Sequence, residues 1–484
     1  EMVARYGNEA YTGGFKVYTT IDGKAQTAAN KALRDALDAY SKRHGYLGPE
    51  SQQALPASDA EKDKLLSGYA TVGRLKPALV ISVDEKSAQA YLGEGRTIEI
   101  PWKGIQWARP YIDHDKRGPE PKQAADVLQA GDIIKVRRSK SEKGQCFWAL
   151  TQVPKVSGAL VSLRSNDGAM LALVGGYDYY ASKFNRVTQA TRQPGSGFKA
   201  FIYSAALENG FTAASLINDA PVVFNDPSLE GTWRPENYSG KFFGPTRLRY
   251  ALTKSRNLVS IRLLRSMGVN KALEHVAKFG FNPDELPHNL SLSLGSANVT
   301  PLQMARGYAV LSNGGYLIDP YLIERIEQNG EIAFQAEPAV VCETCPETEE
   351  AVEPSLNPAP LPEGAPARPA PRVISKQNRF LMYSMMQDVI NAGTAVRAKS
   401  LGRSDIAGKT GTTNEQRDAW FNGYNQSVVA NVWVGFDSNE RLGRGEVGGR
   451  AALPAWIDYM RTVLEDIEDK PPEMPEGMVT VRID

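Results

Sequence analysis

The chain has 484 residues, of which 42% are hydrophobic and 23% are charged, so it is long enough for two to four domains with sizeable cores. Its 56 lysine and arginine residues nearly balance 55 acidic residues, and this net charge of +1 argues against nucleic acid as the main partner. Three cysteines are too few for a disulfide framework, and four scattered histidines do not form a histidine-rich metal site. No apolar run reaches bilayer-spanning length, and residues 1–5 do not resemble a signal peptide.

The N-terminal part of the chain predicts a strand, a helix and then a region of short strands. Residues 15–21 are β-branched and aromatic, which favours a strand. Asp22 can cap the helix that alanines and leucines at three- and four-residue steps predict over 23–43. Five short apolar segments follow, at 78–83, 89–92, 97–100, 132–136 and 146–150. They predict a small closed β-barrel, in which Cys146 is a buried apolar residue.

From residue 154 onward, strand and helix patterns mix. Apolar segments at 159–163 and 169–174 flank Asn-Asp-Gly, which is typical of a β-hairpin. Helical patterns dominate to about residue 315, and a last helical run covers 376–392. Strand-like segments follow at 406–411 and 427–434. This order predicts a mixed α/β fold with an antiparallel sheet.

A proline-rich and acidic stretch at 342–372 interrupts this part of the chain and predicts a flexible insertion. Cys342 and Cys345 lie at its start, where they could form a redox pair, half of a zinc site or a local disulfide. The chain has no second pair of this spacing and no nearby histidine, which argues against zinc. We therefore expect no metal and no cofactor.

The first candidate for chemistry is the tetrad from Ser196 to Lys199, which opens an apolar, helix-like stretch. On a helix, a separation of three residues places the serine hydroxyl and the lysine amine on one face. The N-terminus of a helix adds backbone N–H donors for a developing oxyanion. A lysine can deprotonate a serine only when it is neutral, so its pKa must fall through burial or a neighbouring cation.

The second candidate is the segment from Lys409 to Thr412, the only Lys-Thr-Gly in the chain. Lys409 offers a cation, and the hydroxyls of Thr410 and Thr412 can donate to a substrate carboxylate. Gly411 allows a ligand to approach the backbone closely. The charge of Lys409 would also lower the pKa of Lys199.

The third candidate is a Ser-x-Asn triplet, of which the chain holds three copies, beginning at Ser255, Ser296 and Ser355. The last copy lies in the proline-rich stretch. We favour Ser255 with Asn257, because this copy lies between helical segments and before the Lys-Thr-Gly segment. The hydroxyl of Ser255 could relay a proton, and the amide of Asn257 could hold a substrate carbonyl.

The order Ser-x-x-Lys, Ser-x-Asn, Lys-Thr-Gly is that of penicillin-binding proteins and class A β-lactamases. Over most of its length the chain resembles a class A penicillin-binding protein. The resemblance extends to further segments, at 193–199, 233–238, 292–296, 299–301, 405–413 and 418–421.

This resemblance implies a penicillin-binding, β-lactamase-like transpeptidase domain and a D,D-transpeptidase activity that cross-links peptidoglycan. Ser196 would attack the carbonyl between the two terminal D-alanines of a stem peptide, with Lys199 as base and Ser255 as proton relay. β-Lactams would acylate the same serine. The roles of the remaining site residues are implied in the same way: Asn257 would position the peptide, Lys409, Thr410, Gly411 and Thr412 would hold its carboxylate, and the backbone amides of Ser196 and Thr412 would form the oxyanion hole.

The resemblance also implies a division into a strand and helix at 1–47, an inserted OB-like β-barrel at 48–153 and a transpeptidase domain at 154–484. Members of the family begin with a membrane anchor and a glycosyltransferase domain. We therefore expect this chain to be a fragment from the periplasmic face of the bacterial inner membrane, lacking that anchor and polymerising activity. In some Gram-negative members the inserted domain meets outer-membrane lipoprotein activators, which are expected partners here.

Three other functions compete with this interpretation. A serine β-lactamase needs a glutamate that activates water, and the segment from Glu285 to Asn289 resembles such an element only loosely. A penicillin-sensing receptor domain would be acylated without turning over. A noncatalytic scaffold would bind through its barrel and would have no use for the full set of motifs.

Overall fold

The fold is seen in a computed structural model that describes residues 1–225, 232–345 and 366–482. Most of the flexible insertion predicted at 342–372 therefore lies outside the described residues. The first part of the chain contains α1 (Met2–Tyr6), α2 (Glu9–Thr12), β1 (Lys16–Thr19), α3 (Gly23–His44), β2 (Ser51–Gln52) and α4 (Asp59–Leu66).

Helix α3 forms where the alanine and leucine spacing predicts it. The carboxylate of Asp22 caps the helix by accepting a hydrogen bond from the Ala25 N–H at 2.7 Å. Its apolar stripe is buried, and it ends in a basic turn followed by Gly45, whose φ of 112° suits a residue without a side chain. The predicted helix is thereby confirmed, and the strand predicted at 15–21 is present as the shorter β1.

The next region is built from short strands. It contains β3 (Lys76–Val83), β4 (Ser87–Gly93), β5 (Arg96–Pro101), α5 (Trp102–Ile105), β6 (Asp132–Lys140) and β7 (Cys146–Thr151). The strands pair antiparallel in the order β2-β6-β3-β4-β5, and β7 also pairs with β6. Their inward side chains form a separate apolar core. All five predicted strands are present, while closure into a barrel stays a prediction.

One detail of this region differs from the sequence expectation, because Cys146 is exposed and not buried. Burial along β7 increases from its first residue, Cys146, to its last three, which are buried. The hairpin of β6 and β7 extends beyond the core at its tip, and an apolar pattern in the strand does not reveal where the core ends.

The remaining elements form the larger, mixed α/β part. They are β8 (Ser157–Arg164), β9 (Met170–Val174), α6 (Lys199–Glu208), β10 (Leu216–Asp219), β11 (Phe224–Asn225), β12 (Thr232–Trp233), β13 (Gly244–Arg247), α7 (Leu248–Thr253), α8 (Asn257–Met267), α9 (Val269–Ala277), α10 (Pro301–Ser312), β14 (Ile323–Gln328), β15 (Glu331–Gln335), α11 (Lys376–Asn391), β16 (Ala407–Thr412), β17 (Asp418–Tyr424), β18 (Val428–Gly435), α12 (Gly448–Ala451) and α13 (Leu453–Val463). Short 3₁₀ turns connect several of them, including one at Gly195–Phe198.

A five-stranded antiparallel sheet organises this part, in the order β16-β17-β18-β8-β9. Every residue of β17 and β18 is buried, so both faces of the sheet are covered. Helices α3 and α13 pack together against it, and α10 and α11 form a second packed pair. The predicted mixed fold with an antiparallel sheet is confirmed. Strand β16, which carries the Lys-Thr-Gly segment, lies at one end of the sheet.

The structure joins Cys342 and Cys345 in a disulfide, the third of the alternatives considered above. Across the described residues, no helix is both long and apolar enough to cross a membrane. The same residues contain no cluster of three or more histidine, cysteine or acidic side chains that could hold a metal ion.

Candidate active site

Ser196 lies in the 3₁₀ turn Gly195–Phe198, directly ahead of helix α6. The sequence pattern places Ser196 on the helix itself, whereas α6 begins at Lys199. Gly195, Gly197 and Phe198 are buried, but Ser196 is only partly buried. The turn therefore fixes the backbone around Ser196 while leaving its side chain within reach of a ligand.

This turn packs backbone to backbone against the end of β16. A Cβ atom on Gly195 would lie 2.6 Å from the carbonyl oxygen of Thr412, and one on Gly411 would collide with the carbonyl oxygen of Pro194. Gly195 also has a φ of 53°, in the left-handed region that favours glycine. The close approach brings the backbones of Ser196 and Thr412 together, although they are more than 200 residues apart in sequence.

Lys199 extends from the first turn of α6 into a fully buried polar pocket. Its Nζ donates to Asn257 Oδ1 at 2.7 Å, to the Ser255 carbonyl at 3.0 Å and to Ser255 Oγ at 3.4 Å. Burial, together with the charge of Lys409, holds the pKa of Lys199 well below its usual range. A neutral amine has two N–H groups, which can donate to Asn257 Oδ1 and to the Ser255 carbonyl oxygen. Its lone pair then remains available to accept a proton.

Ser255 occupies the turn between α7 and α8, with a φ of 56° that is unusual for a residue other than glycine. Its hydroxyl contacts both lysines, since Lys409 Nζ donates to Ser255 Oγ at 3.0 Å and Lys199 Nζ does so at 3.4 Å. The competing triplet lies elsewhere: Ser296 Oγ bonds to Ser291 Oγ at 2.6 Å. Of the described copies, only that of Ser255 joins the two lysines.

Lys409 is buried in the middle of β16, and its Nζ also donates to the Thr410 carbonyl at 3.0 Å. Burial lowers the pKa of Lys409 to about 7. Thr410 Oγ1 lies 2.6 Å from the hydroxyl of Thr394, and Thr412 Oγ1 accepts from the Gly448 N–H at 3.0 Å. Strand β16 thus provides the site with the amine of Lys409 and with the oriented hydroxyls of Thr410 and Thr412.

Asn257 is held by partners that sequence reasoning did not identify. Its Nδ2 donates to the Glu236 carbonyl at 2.9 Å, and its backbone N–H donates to Asn237 Oδ1 at 2.8 Å. Asn237 in turn donates to the buried carboxylate of Asp219 at 2.7 Å. The segment containing Asn237 was recognised as family-like, but nothing in its spacing indicates contact with Asn257.

Together these residues provide what a serine acyl transfer needs. They supply a reachable hydroxyl, a lysine whose pKa is depressed, a hydroxyl bridging two amines, and backbone N–H groups at the close approach of two segments. Glu285, the residue considered for a water-activating role, is exposed and accepts a hydrogen bond from Asn282 at 3.2 Å in its own turn.

Comparison with known proteins identifies the family of the chain. The family of penicillin binding protein transpeptidase domains matches residues 158–441, and that of penicillin-binding protein OB-like domains matches residues 46–156. Penicillin-binding protein 1A of Pseudomonas aeruginosa is 46% identical over all of this chain and 61% of its own length. The corresponding protein of Escherichia coli K12 is 40% identical over all of this chain and 63% of its own. The chain thus spans about three fifths of the length of these relatives.

A crystal structure of penicillin-binding protein 1A from Haemophilus influenzae superposes with a TM-score of 0.87. It is 36% identical, and the match covers 100% of this chain and 71% of that one. Full coverage at this identity extends the similarity beyond the site to both parts of the fold. The chain therefore belongs to the class A penicillin-binding proteins, with the transpeptidase and OB-like domains of that family.

Proposed function

We propose that this chain is a peptidoglycan D,D-transpeptidase that works through an acyl-enzyme on Ser196. The observation that carries the proposal is the buried link of Lys199, Ser255 and Lys409 beside the turn that holds Ser196. A depressed lysine pKa is of no benefit to an ordinary ion pair, but it is required of a lysine that acts as a base. The match to the transpeptidase domain family supports the same chemistry.

In the proposed reaction, Ser196 Oγ attacks the carbonyl between the two terminal D-alanines, and neutral Lys199 takes the hydroxyl proton. The carbon–nitrogen bond then breaks, and the departing D-alanine amine receives a proton through Ser255. An acyl ester remains on Ser196. The amine of a second stem peptide attacks that ester, its proton returns to Ser196 Oγ, and the cross-link is complete.

The substrate is held along β16 in this proposal. Lys409, Thr410 and Thr412 bind the terminal carboxylate, with Gly411 admitting the ligand to the backbone, and Asn257 positions the peptide. The backbone N–H groups of Ser196 and Thr412 form the oxyanion hole, supported by the close packing of Gly195 against Thr412. β-Lactam antibiotics carry an equivalent carboxylate and carbonyl, so they would acylate Ser196 in place of the stem peptide.

The proposal also covers the domain division of this chain and the longer protein to which we assign it. We divide the chain into 1–47, an inserted OB-like domain at 48–153 and a transpeptidase domain at 154–484. We assign it to the periplasmic face of the bacterial inner membrane, in a protein that also carries a membrane anchor and a glycosyltransferase domain. An outer-membrane lipoprotein activator would bind the OB-like domain. Similarity to penicillin-binding protein 1A over the whole chain supports these assignments.

The test is covalent labelling with a fluorescent penicillin. We expect the chain to be labelled and Ser196→Ala to abolish the label, because the ester cannot form without the hydroxyl. Ser266→Ala, which removes an exposed hydroxyl on α8, should label like the unmodified chain.

Other outcomes identify the competing functions. A label that survives Ser196→Ala would refute the nucleophile. Rapid release of hydrolysed drug would indicate a β-lactamase, and stable acylation without cross-linking of defined peptidoglycan strands would indicate a penicillin receptor.

A further inference from the structure

One segment of the transpeptidase domain contacts helix α3, the OB-like domain and the active-site strand. We call residues 440–448, which follow β18 and end at the first residue of α12, the bridging segment. Tyr40 of α3 donates to the Leu442 carbonyl at 2.5 Å. Arg43 of α3 forms two hydrogen bonds with Glu446, from Nε at 3.0 Å and from Nη2 at 2.7 Å. The side chain of Glu446 is 2% exposed. Helix α3 therefore fixes the segment at two points.

Glu446 remains ionised in this setting. Burial acts to raise its pKa, but neighbouring His44 and Arg43 outweigh burial and lower the pKa of Glu446 to about 2. Arg450 adds a further cation, with its Nε 3.4 Å from the carboxylate. Glu446 is thus charged at neutral pH and pairs there with Arg43 of α3.

The OB-like domain also contacts the bridging segment, through its loop 111–117. Asp115 Oδ1 accepts from the backbone N–H of Arg444 at 2.6 Å, and Oδ2 accepts from Arg441 Nη2 at 2.8 Å. The imidazole of His114 lies 3.2 Å from a carboxylate oxygen of Glu440. Gly443 has a φ of 108°, and a Cβ there would collide with the His114 carbonyl. The loop and the segment are in backbone contact, with a charge-assisted hydrogen bond to a main-chain amide.

The far end of the bridging segment reaches the proposed substrate strand. The Gly448 N–H donates to Thr412 Oγ1 at 3.0 Å, and a Cβ on Gly448 would collide with the carbonyl oxygens of Gly411 and Trp420. Because an oxygen lone pair of Thr412 is occupied by this N–H, its own hydroxyl hydrogen is free to point at a ligand. Gly448 therefore packs against the backbone of β16 at Gly411 and orients the hydroxyl of Thr412.

We propose that the OB-like domain positions Thr412 for acyl transfer through the bridging segment, with Asp115 and Glu446 as positioning residues. The proposal rests on the proposed function, since it concerns the binding of the substrate carboxylate and the oxyanion. A partner that shifts loop 111–117 would change the rate of acylation without touching the active site.

The first experiment measures acylation of Ser196 by a fluorescent penicillin in the Asp115→Ala variant of the full chain. We expect the rate at low drug concentration to fall about tenfold, as is common for coupling between separate sites. The thermal midpoint should change by less than about 2 °C, because exposed ion pairs contribute little stability. Glu142→Ala, which removes an exposed acid in another turn of the OB-like domain, should leave the rate unchanged. The acylation rate of the Glu446→Gln variant should fall at least as much as that of the Asp115→Ala variant. An unchanged acylation rate in either variant contradicts the proposal.

A double-mutant cycle separates positioning from a general structural effect. In a Thr412→Val background the acceptor for the Gly448 N–H is gone, so Asp115→Ala should slow acylation no further. In a Thr412→Ser background the hydroxyl remains, and Asp115→Ala should have its full effect. If Asp115→Ala slows acylation in the Thr412→Val background by the same factor as in the unmodified chain, the bridging segment does not act through Thr412. If the unmodified chain is not labelled at all, the proposed function itself fails.

Discussion

At the scale of single residues, the central feature is a pair of buried lysines that share one serine. Lys199 and Lys409 are both 0% exposed and both bond to Ser255 Oγ. Two ammonium groups this close in a buried site disfavour each other's charge, so at most one is expected to be ionised in the working enzyme. The proposed chemistry needs Lys199 neutral as a base and Lys409 charged as a carboxylate ligand.

This arrangement predicts a bell-shaped pH dependence of acylation by penicillin. Below the depressed pKa of Lys199 its amine is protonated, so the rate should rise with pH as Lys199 loses its proton. Above about pH 7 Lys409 loses its own charge, so binding of the drug carboxylate should weaken and the rate should fall. Stopped-flow measurement at low drug concentration reports these free-enzyme groups.

The control for this profile is Lys409→Arg, because a guanidinium stays charged to far higher pH. In this variant the acylation rate should still rise with pH but should no longer fall above pH 7. A thermal midpoint close to that of the unmodified chain checks that the variant is folded. A falling limb that persists in this variant would assign the fall to another group.

The sequence identifies the motif residues but not the network that supports them. Short motifs determine Ser196, Lys199 and Lys409 because their spacing is local. Asn237 and Asp219 escape notice because the contact of Asn237 with Asn257, and that of Asp219 with Asn237, depend on how distant segments fold together. A polar residue in a loop looks the same in sequence whether it is solvated or buried.

At the scale of elements, strands and helices with regular apolar spacing were predicted well, and β17 was not. All residues of β17 are buried, yet it contains Asp418, Asn422 and Gly423, which are uncommon in a central strand. Its polar side chains have cross-strand partners: Asp418 accepts from Trp433 Nε1 at 2.9 Å, and Asn422 accepts from Asn431. Propensity fails here because the partners of these polar groups lie on a neighbouring strand, which the sequence does not show; Asn422 Nδ2 and Asn431 Oδ1 are buried without a partner among the described residues.

Close glycine packing between α12 and the sheet leads to a prediction for Gly448→Ala. The added methyl would collide with the carbonyl oxygens of Gly411 and Trp420, which belong to paired strands and cannot easily move. We expect a loss of about 1–3 kcal/mol in the free energy of unfolding, together with slower acylation. Urea titration and penicillin labelling measure the two effects.

Gly23→Ala is the matched control, because a Cβ there meets no atom within 4 Å. It lies in the first turn of α3 and should be neutral or slightly stabilising. Equal stability of the Gly448→Ala variant and the unmodified chain would mean that α12 is free to move away from the sheet.

At the scale of the whole molecule, one buried carboxylate connects three parts of the chain. Asp38 of α3 is 3% exposed and accepts from Arg74 Nη2 at 2.7 Å, from Arg137 of β6, and from the hydroxyl of Tyr177 at 3.0 Å. Arg74 and Arg137 lie within the proposed OB-like domain, and Tyr177 lies beyond β9 in the transpeptidase part. Helix α3 is therefore the common support of both domains.

Replacing Asp38 by alanine should weaken this junction strongly. Removal of this buried carboxylate leaves Arg137 without its ion-pair partner, while Arg74 keeps its pair with Asp35. Breaking a buried ion pair typically costs about 3–5 kcal/mol. We expect a lower thermal midpoint and faster proteolytic cleavage between the two domains. Asp84→Ala, at an exposed turn of the OB-like domain, should behave like the unmodified chain. An unshifted midpoint for Asp38→Ala would show that the domains are held mainly by other contacts.

Strand β16 lies at the end of its sheet, a position that can promote self-association. Within the described residues its outer edge pairs with no other strand, although five of its six residues are buried by neighbouring elements. The proposed binding of a peptide along β16 requires part of its edge to stay uncovered, and an uncovered edge strand is a template for self-association. Its short length, inward-pointing Lys409 and two glycines limit that hazard, because they shorten the edge and make apolar stacking poor. Substrate recognition and resistance to aggregation thus compete for the same six residues.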